Sequence, residues 1–395
     1  DLDYGNPEVF CAMADVMLGL ARTGVDVLRL DAVPFLWKRK GTDCQNQPEV
    51  HDLLHAFRAV MRIAAPAVAF KAEAIVSPRE LVTYLGVGRH ESRECDIAYH
   101  NVLMVLLWSS LASGRAGLMT HVLETMPPTP PSATWLTYVR GHDDIGWAIT
   151  DEDAGAVGED GYAHRRFLID FYAGDFPGSF ARGARFQEDP RTGDARTSGT
   201  TASLAGLEAA LDSGDQITLE LAIRRILLLH AIAFAHGGLP VIYMGDELGL
   251  LNDAAWDADP AHRDDNRWMH RPPMDWPIAD ARHDRESVPG QIFAGLCRLV
   301  TARRATRAVH ADGTLRPLRT GNDHVFAMLR EHAGERVLLL ANLTAGLQPV
   351  GSGVMREHGL ALTPSAAEAD GRMARAQADS VLLEPYQFLW LRAEA

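Results

Sequence analysis

Short apolar runs that end in charged or polar residues recur along the chain as far as Glu247, separated by helix-patterned segments. The runs are Val25–Asp31, Ala67–Glu73, Asp96–Tyr99, Thr134–His142 and Pro240–Gly245. Strands that alternate with helices predict an α/β fold with a parallel sheet. Such folds carry their chemistry at the carboxyl ends of the strands, in barrels especially. The polar ends are therefore the first place to look: Asp31, Glu73, His142 with Asp143, and Asp246 with Glu247.

The intervening segments read as helices. Asn6-Pro7 is a cap followed by a first-turn proline, and Phe10, Met13, Met17 and Leu20 recur at helical spacing up to Gly24. Pro48–Ile63 is a second amphipathic helix, and helices are also expected over Pro78–Leu85 and Val102–Leu111. Residues 145–203 break this rhythm with a run rich in Gly, Asp and Arg. So long a structureless loop is unusual in a compact domain, and an inserted subdomain is expected. From Arg307 the pattern changes to alternating strands: His324–Glu331, Arg336–Leu343 and Phe388–Glu394, with a turn at Gly321-Asn322. The expected divisions are 1–144, 145–203 (the insertion), 204–306 (the last barrel unit) and 307–395 (a C-terminal antiparallel β domain).

Composition excludes some partners. The net charge of −14 argues against nucleic acid and anionic membrane, and suits a neutral small molecule. The longest apolar run, near Ile226–Ala235, is interrupted by His230 and is too short to span a bilayer. The four cysteines lack C-x-x-C spacing, so free buried thiols are expected, and with them a cytoplasmic setting over a secreted one. His51 and His55 have a zinc-compatible spacing but no third ligand in view, so a solvated helix face is expected and no metal. Composition is silent on oligomeric state.

Side chains alternate along a strand. Val27, Arg29 and Asp31 therefore share one face, and Leu28 and Leu30 the other. A cation this near keeps an aspartate ionised, and an ionised sheltered carboxylate can act as a nucleophile. Glu73 follows Lys71 on its own strand face, and apolar neighbours Ala72, Ala74 and Ile75 favour a carboxyl that can hold a proton. One carboxylate kept charged and one kept protonatable is what glycoside chemistry needs. Asp143 and Asp144 add further carboxylates beside His142. Each acid alone is more often a helix cap, and an Arg29–Asp31 pair is often only structural. Three such strand ends in one chain are harder to explain so.

The stretches LRLDAVPFLWK, KAEAIV and VRGHDDIGW resemble the catalytic motifs of the α-amylase superfamily, glycoside hydrolase family 13. With SFARG, RTGDARTSGT, GGLPVIYMGDELG and NRWMHRP, the chain is similar to the amylosucrases within it over nearly its whole length. That resemblance implies a (β/α)8 TIM barrel, of which this chain would hold the last five βα units. It implies Asp31 as nucleophile, Glu73 as general acid/base and Asp143 as transition-state stabiliser. Arg29, His142, Ile75 and Asp144 would line the glucosyl site. Arg267 would close a sucrose pocket by a salt bridge to an aspartate lying before residue 1. Arg165 and Arg196 would guide a glucan acceptor, with a solvated arginine the alternative for both.

The implied reaction is glucosyl transfer from sucrose to an α-glucan or glycogen end through a β-glucosyl ester on Asp31, with fructose released and no cofactor. The alternatives are sucrose hydrolysis and a maltose-to-trehalose isomerising relative. A non-catalytic superfamily member is a reading of another class, and the presence of all three carboxylates argues against it. The chain opens at Asp1, without Met, and reads as beginning just before a fourth barrel strand. A fragment that is inactive alone is therefore also expected.

Overall fold

The computed structural model describes residues 2–361, 369–377 and 379–392. The chain divides into two compact units. The first comprises Asp1–Val102 with Met126–Leu136, and the second Leu103–Thr125 with Thr137–Ala395.

In the first unit, strands β1 (Val27–Leu30), β2 (Ala69–Ala72), β3 (Ile97–Tyr99) and β4 (Thr134–Tyr138) lie side by side in chain order and in parallel. The register sets Val27 opposite Ala69 and Arg29 opposite Lys71. The second unit carries a further short strand, β7 (Leu239–Val241). The expected α/β alternation is therefore present in five strands, each shorter than its apolar run.

The helix Pro7–Arg22 starts as expected: Asn6 Oδ1 accepts the Glu8 N–H at 3.0 Å and Pro7 fills the first turn. Phe10 stacks on Phe57 of the helix Pro48–Ala64, with ring centroids 4.5 Å apart. Met17 is buried, but Leu20, on the same predicted apolar face, is 44% exposed. A buried cation, Arg58, pins the sheet from below. It donates to the Val68 carbonyl at 2.9 Å and to Asp96, whose other oxygen accepts the Phe70 N–H at 2.8 Å.

Two expectations are corrected here. His51 is not on a solvated face: its Nδ1 lies 3.0 Å from the carboxylate of Glu94, whose side chain is wholly buried. The cysteines are all free, yet only Cys95 is buried; Cys11 and Cys297 are exposed.

In the second unit, residues 145–203 carry helices Asp151–Ala156 and Gly161–Ala173 and a small antiparallel pair, β5 (Ala184–Phe186) and β6 (Arg196–Ser198). Thr150 and Asp160 cap the two helices through their side-chain oxygens. The helix Gln216–His236, capped by Asp215, is buried for most of its length. Among the described residues no helix is long and apolar enough to cross a membrane.

The C-terminal part is antiparallel, as its alternating pattern predicts. One sheet has the order β14-β10-β9-β8, where β8 is Thr314–Leu318, β9 Val325–His332, β10 Glu335–Asn342 and β14 Phe388–Arg392. The other, β11-β13-β12, joins Gln348–Gly351, Ser380–Leu383 and Arg375–Gln377. Alternate residues of both sheets, among them Ala327, Leu340, Leu389, Val350 and Leu383, form one core. Gly321, at φ +78°, lies in the predicted turn between β8 and β9. The expected end of the last strand, 393–394, lies outside the described residues.

Candidate active site

Two groups of charged side chains gather the predicted residues, one in each unit. In the first unit, Leu28, Phe70 and Ala72 are buried on one side of β1 and β2, which leaves Arg29 and Lys71 on the other. Arg29 donates to Asp31 Oδ1, and its other terminal nitrogen lies 3.8 Å from Glu73 Oε1. Glu73 Oε2 accepts the backbone N–H of Ala32 at 2.7 Å. Ala32 sits at φ +47°, a left-handed turn immediately after Asp31. One guanidinium thus faces two carboxylates of opposite exposure: the Asp31 side chain is 73% exposed and that of Glu73 15%.

Burial works against the charge of Arg29, but Glu73 and Asp31 outweigh it and hold its pKa above the ordinary value. It is a permanent cation. The ring of Tyr99 lies under the Lys71 ammonium at 4.7 Å and the Arg29 guanidinium at 5.9 Å. The apolar surroundings expected for Glu73 are only half present. Ala72 and Ala74 are buried, but Ile75 is 40% exposed, and the carboxylate itself meets an N–H and a cation. Asp31 and Arg29 also border a cleft of about 460 Å³ in this unit, lined mainly by apolar side chains including Met13, Leu30 and Phe35.

In the second unit the chain turns sharply after β4. Arg140, buried, donates to the Gly199 carbonyl at 2.9 Å and to the Asp143 carbonyl at 2.6 Å, and so fixes the turn. Three nitrogen-bearing side chains converge on the Asp143 carboxylate: His142 Nε2 at 3.1 Å, Arg267 at 3.1 Å and Arg271 at 3.4 Å. His270 braces the backbone behind it. Its Nδ1 accepts the Gly199 N–H at 3.2 Å, so its Nε2 carries the proton and donates to the His142 carbonyl at 3.0 Å. Burial, and then the neighbouring Arg140, push its pKa down to about 2, so it stays neutral.

Arg267 forks onto Asp265 with two parallel bonds of 2.8 and 2.7 Å and lies 5.0 Å from the Phe186 ring centroid. The hydrogen bonds to Arg267 hold the Asp265 carboxyl below its usual range, against the effect of burial. Buried Asp144 lies 3.4 Å from Arg196 and 3.9 Å from Arg267.

Arg29, Asp31 and Glu73 are thus brought together, as are His142, Asp143, Asp144, Arg196 and Arg267. Arg165 is not: it is bound to Asp151 at 2.8 Å and to the Ile149 carbonyl at 2.7 Å. Within the described residues Arg267 pairs with Asp265. Asp265, Arg271, His270 and Tyr99 were not predicted. The segment DDNRWMHRP held the signal for three of them, with arginines four apart and Asp265 two before the first. Among the described residues no group of three or more His, Cys, Asp or Glu side chains is arranged to hold a metal ion.

Comparison with solved structures bears on the fold. A sucrose 6F-phosphate phosphorylase from Thermoanaerobacter thermosaccharolyticum superposes with a TM-score of 0.61 at 18% identity, covering 87% of this chain and 60% of that one. The α-amylase from H. orenii gives 0.59 at 14% identity, covering 100% and 66%. The fold is that of the α-amylase family.

Curated relatives of this chain include the trehalose synthase/amylase TreS of Mycolicibacterium smegmatis, 28% identical over 386 residues, 89% of this chain and 57% of that protein. A glucosylglycerate phosphorylase from Escherichia coli is 25% identical over 394 residues, 99% of this chain and 65% of that protein. The chain spans a little over half the length of the trehalose synthases of this kind that it matches. Residues 322–391 match a family model described as the C-terminal immunoglobulin-like domain of D-apionate lactonase, in accord with the antiparallel core there. These relatives support an enzyme of the α-amylase family; they do not support amylosucrase, or sucrose, in particular.

Proposed function

We propose that the chain carries the nucleophile and the general acid/base of a retaining enzyme that breaks and remakes α-glucosidic bonds, of the trehalose synthase kind. One observation carries the reading: Arg29 faces an open carboxylate, Asp31, and a sheltered one, Glu73, at adjacent strand ends. Glu73 gives its proton to the leaving oxygen as the bond from that oxygen to C1 breaks. Asp31 forms a bond to C1, giving a β-glucosyl ester. An acceptor hydroxyl then attacks C1, releases Asp31 and passes its proton to Glu73, which restores both groups.

Asp143 takes the stabilising role that its motif implies. Its carboxylate is held by His142, Arg267 and Arg271, so its direction is fixed before substrate arrives. The relatives' names favour return of glucose to a new hydroxyl, as from maltose to trehalose. The stretches SFARG and RTGDARTSGT favour a second reading, transfer from sucrose with release of fructose.

The test is to incubate the protein separately with maltose, trehalose and sucrose, with and without glycogen, and follow the products by proton NMR. Interconversion of maltose and trehalose is expected. Fructose from sucrose with growth of glucan selects the second reading. Trapping with a slow fluorinated glucosyl donor, followed by peptide mass analysis, should place the sugar on Asp31. A label on another residue would overturn the assignment.

A further inference from the structure

A second cavity in the second unit belongs to neither carboxylate group. It holds about 740 Å³, within the range of small-molecule pockets. The C-terminal turn of helix Val288–Arg304, the segment after it and the turn that ends β9 form its walls. Phe234, Ile242, Val300 and Val309 give it an apolar side. The other side is basic, with Arg303, Arg304, Arg307, His310 and His332.

Its charge is not balanced locally. Arg330, 3% exposed, lies behind the wall and donates to the His310 carbonyl at 2.6 Å and to the Ala308 carbonyl at 3.4 Å. Arg303 donates to the carbonyls of Phe234 and Gly238. Buried Arg330 and half-buried Arg303 thus meet backbone carbonyls and no carboxylate among the described contacts. Burial, and then the nearby Arg303 cation, lower the Arg330 pKa to about 10, which still leaves it charged at neutral pH. Arg304 and Arg307 are exposed, and neither side chain makes a hydrogen bond or ion pair among the described residues. The rings of His310 and His332 stack at 4.7 Å.

Two carboxylates stand near. Asp312 lies 3.6 Å from His310 Nδ1 with its side chain 69% exposed, and Glu335 accepts the Ala308 N–H at 2.8 Å. Four guanidinia against two carboxylates leave a positive pocket, in a chain whose net charge is −14. Two unpaired guanidinium forks beside two imidazoles offer more N–H donors than one carboxylate can accept, and match the three terminal oxygens of a phosphate. The apolar side suits the carbon body of an ester.

We propose that this pocket binds a small phosphate monoester, with Arg304 and Arg307 gripping the phosphate and the Phe234–Val300 side taking the body. The test is calorimetric titration of the whole chain with inorganic phosphate, a hexose 6-phosphate and adenosine monophosphate. The same series is run on the Arg304→Gln/Arg307→Gln double variant. Both side chains are exposed and unpaired, so the variant should melt as the parent does. At least one ester should bind more tightly than inorganic phosphate, and the variant should weaken it about tenfold or more, the worth of one charge-assisted hydrogen bond. Equal affinity of parent and variant would overturn the assignment. So would the absence of saturable binding at millimolar ester. Inorganic phosphate binding as tightly as both esters would refute the role given to the apolar side.

Discussion

The Glu73 carboxylate accepts the backbone N–H of Ala32 at 2.7 Å, and so ties the residue that follows Asp31 to the end of the neighbouring strand. The proposed acid/base thereby also holds the left-handed turn at Ala32, and the two roles can be separated. In Glu73→Gln the amide oxygen can still accept that N–H, but the group can no longer exchange a proton. The variant should keep a melting temperature close to the parent's, while turnover of α-glucosides falls by about 10²–10⁴-fold, the usual contribution of a general acid/base. Turnover within a few-fold of the parent's would remove Glu73 from the mechanism.

In the proposed mechanism Asp265 acts on Asp143 through Arg267, as a positioning residue. Asp265→Asn loses one charge and leaves only one acceptor for the fork. Arg267 should then swing more freely. The expected result is a rise in KM larger than the fall in kcat, with Arg267→Lys giving the same pattern, since an ammonium cannot make two parallel bonds. The folded pKa of Asp265 is depressed, so its stabilising contribution is present above the unfolded value near 4 and is lost as pH falls through the lower folded one. The parent's melting temperature should therefore fall more steeply than the variant's below about pH 4.

Much of this arrangement was legible in the sequence, because it depends on local rules. Period-two alternation set Arg29 and Lys71 on the face away from Leu28 and Phe70, and the strand ends marked Asp31, Glu73 and Asp143. The strands came out shorter than their apolar runs because pairing, not hydrophobicity, defines them: β1 first pairs at Val27 with Ala69. Leu20 and His51 were misread for a related reason. Helical spacing says which residues share a face, but not what lies opposite, and only the fold brings buried Glu94 to His51. Arg271 and His270 sit in a segment without periodicity, and the His142–Asp143 turn that they bind is more than 120 residues away in sequence. No local rule reaches that far.

Buried neutral histidines should make the protein sensitive to acid. Burial lowers His100 to about 3, and burial with Arg140 lowers His270 to about 2, against an unfolded value near 6.5. The unfolded chain therefore binds more protons than the native one below pH 6.5, and stability falls as pH drops through that range. Melting temperatures measured from pH 7 to 4 should decline steadily. A flat profile in the Asp246→Asn background, which lacks the opposing titration of that carboxyl, would mean that these imidazoles are protonated in the native state.

Asp246 should act in the opposite sense. Its buried carboxyl accepts the Thr201 hydroxyl at 2.9 Å, and desolvation raises its pKa to about 7 despite that bond and the nearby Arg140. The native state then holds a proton between about pH 4 and 7 that the unfolded chain has released, so this group's contribution falls as pH rises across that window. The full span is on the order of 4 kcal/mol at most, from about three pH units at 1.36 kcal/mol each. His230, 3.9 Å away and lowered by burial to about 4, tilts the opposite way below pH 6.5 and masks the effect in the parent. Asp246→Asn keeps an acceptor for Thr201 and removes only the titration. Subtracting the parent's melting temperature from the variant's cancels the histidines common to both. The difference should climb from pH 4 to 7 and level off above, because there the parent alone carries a buried, desolvated charge. A difference that stays constant with pH would show that Asp246 is already ionised at pH 4, and that Arg140 holds it so.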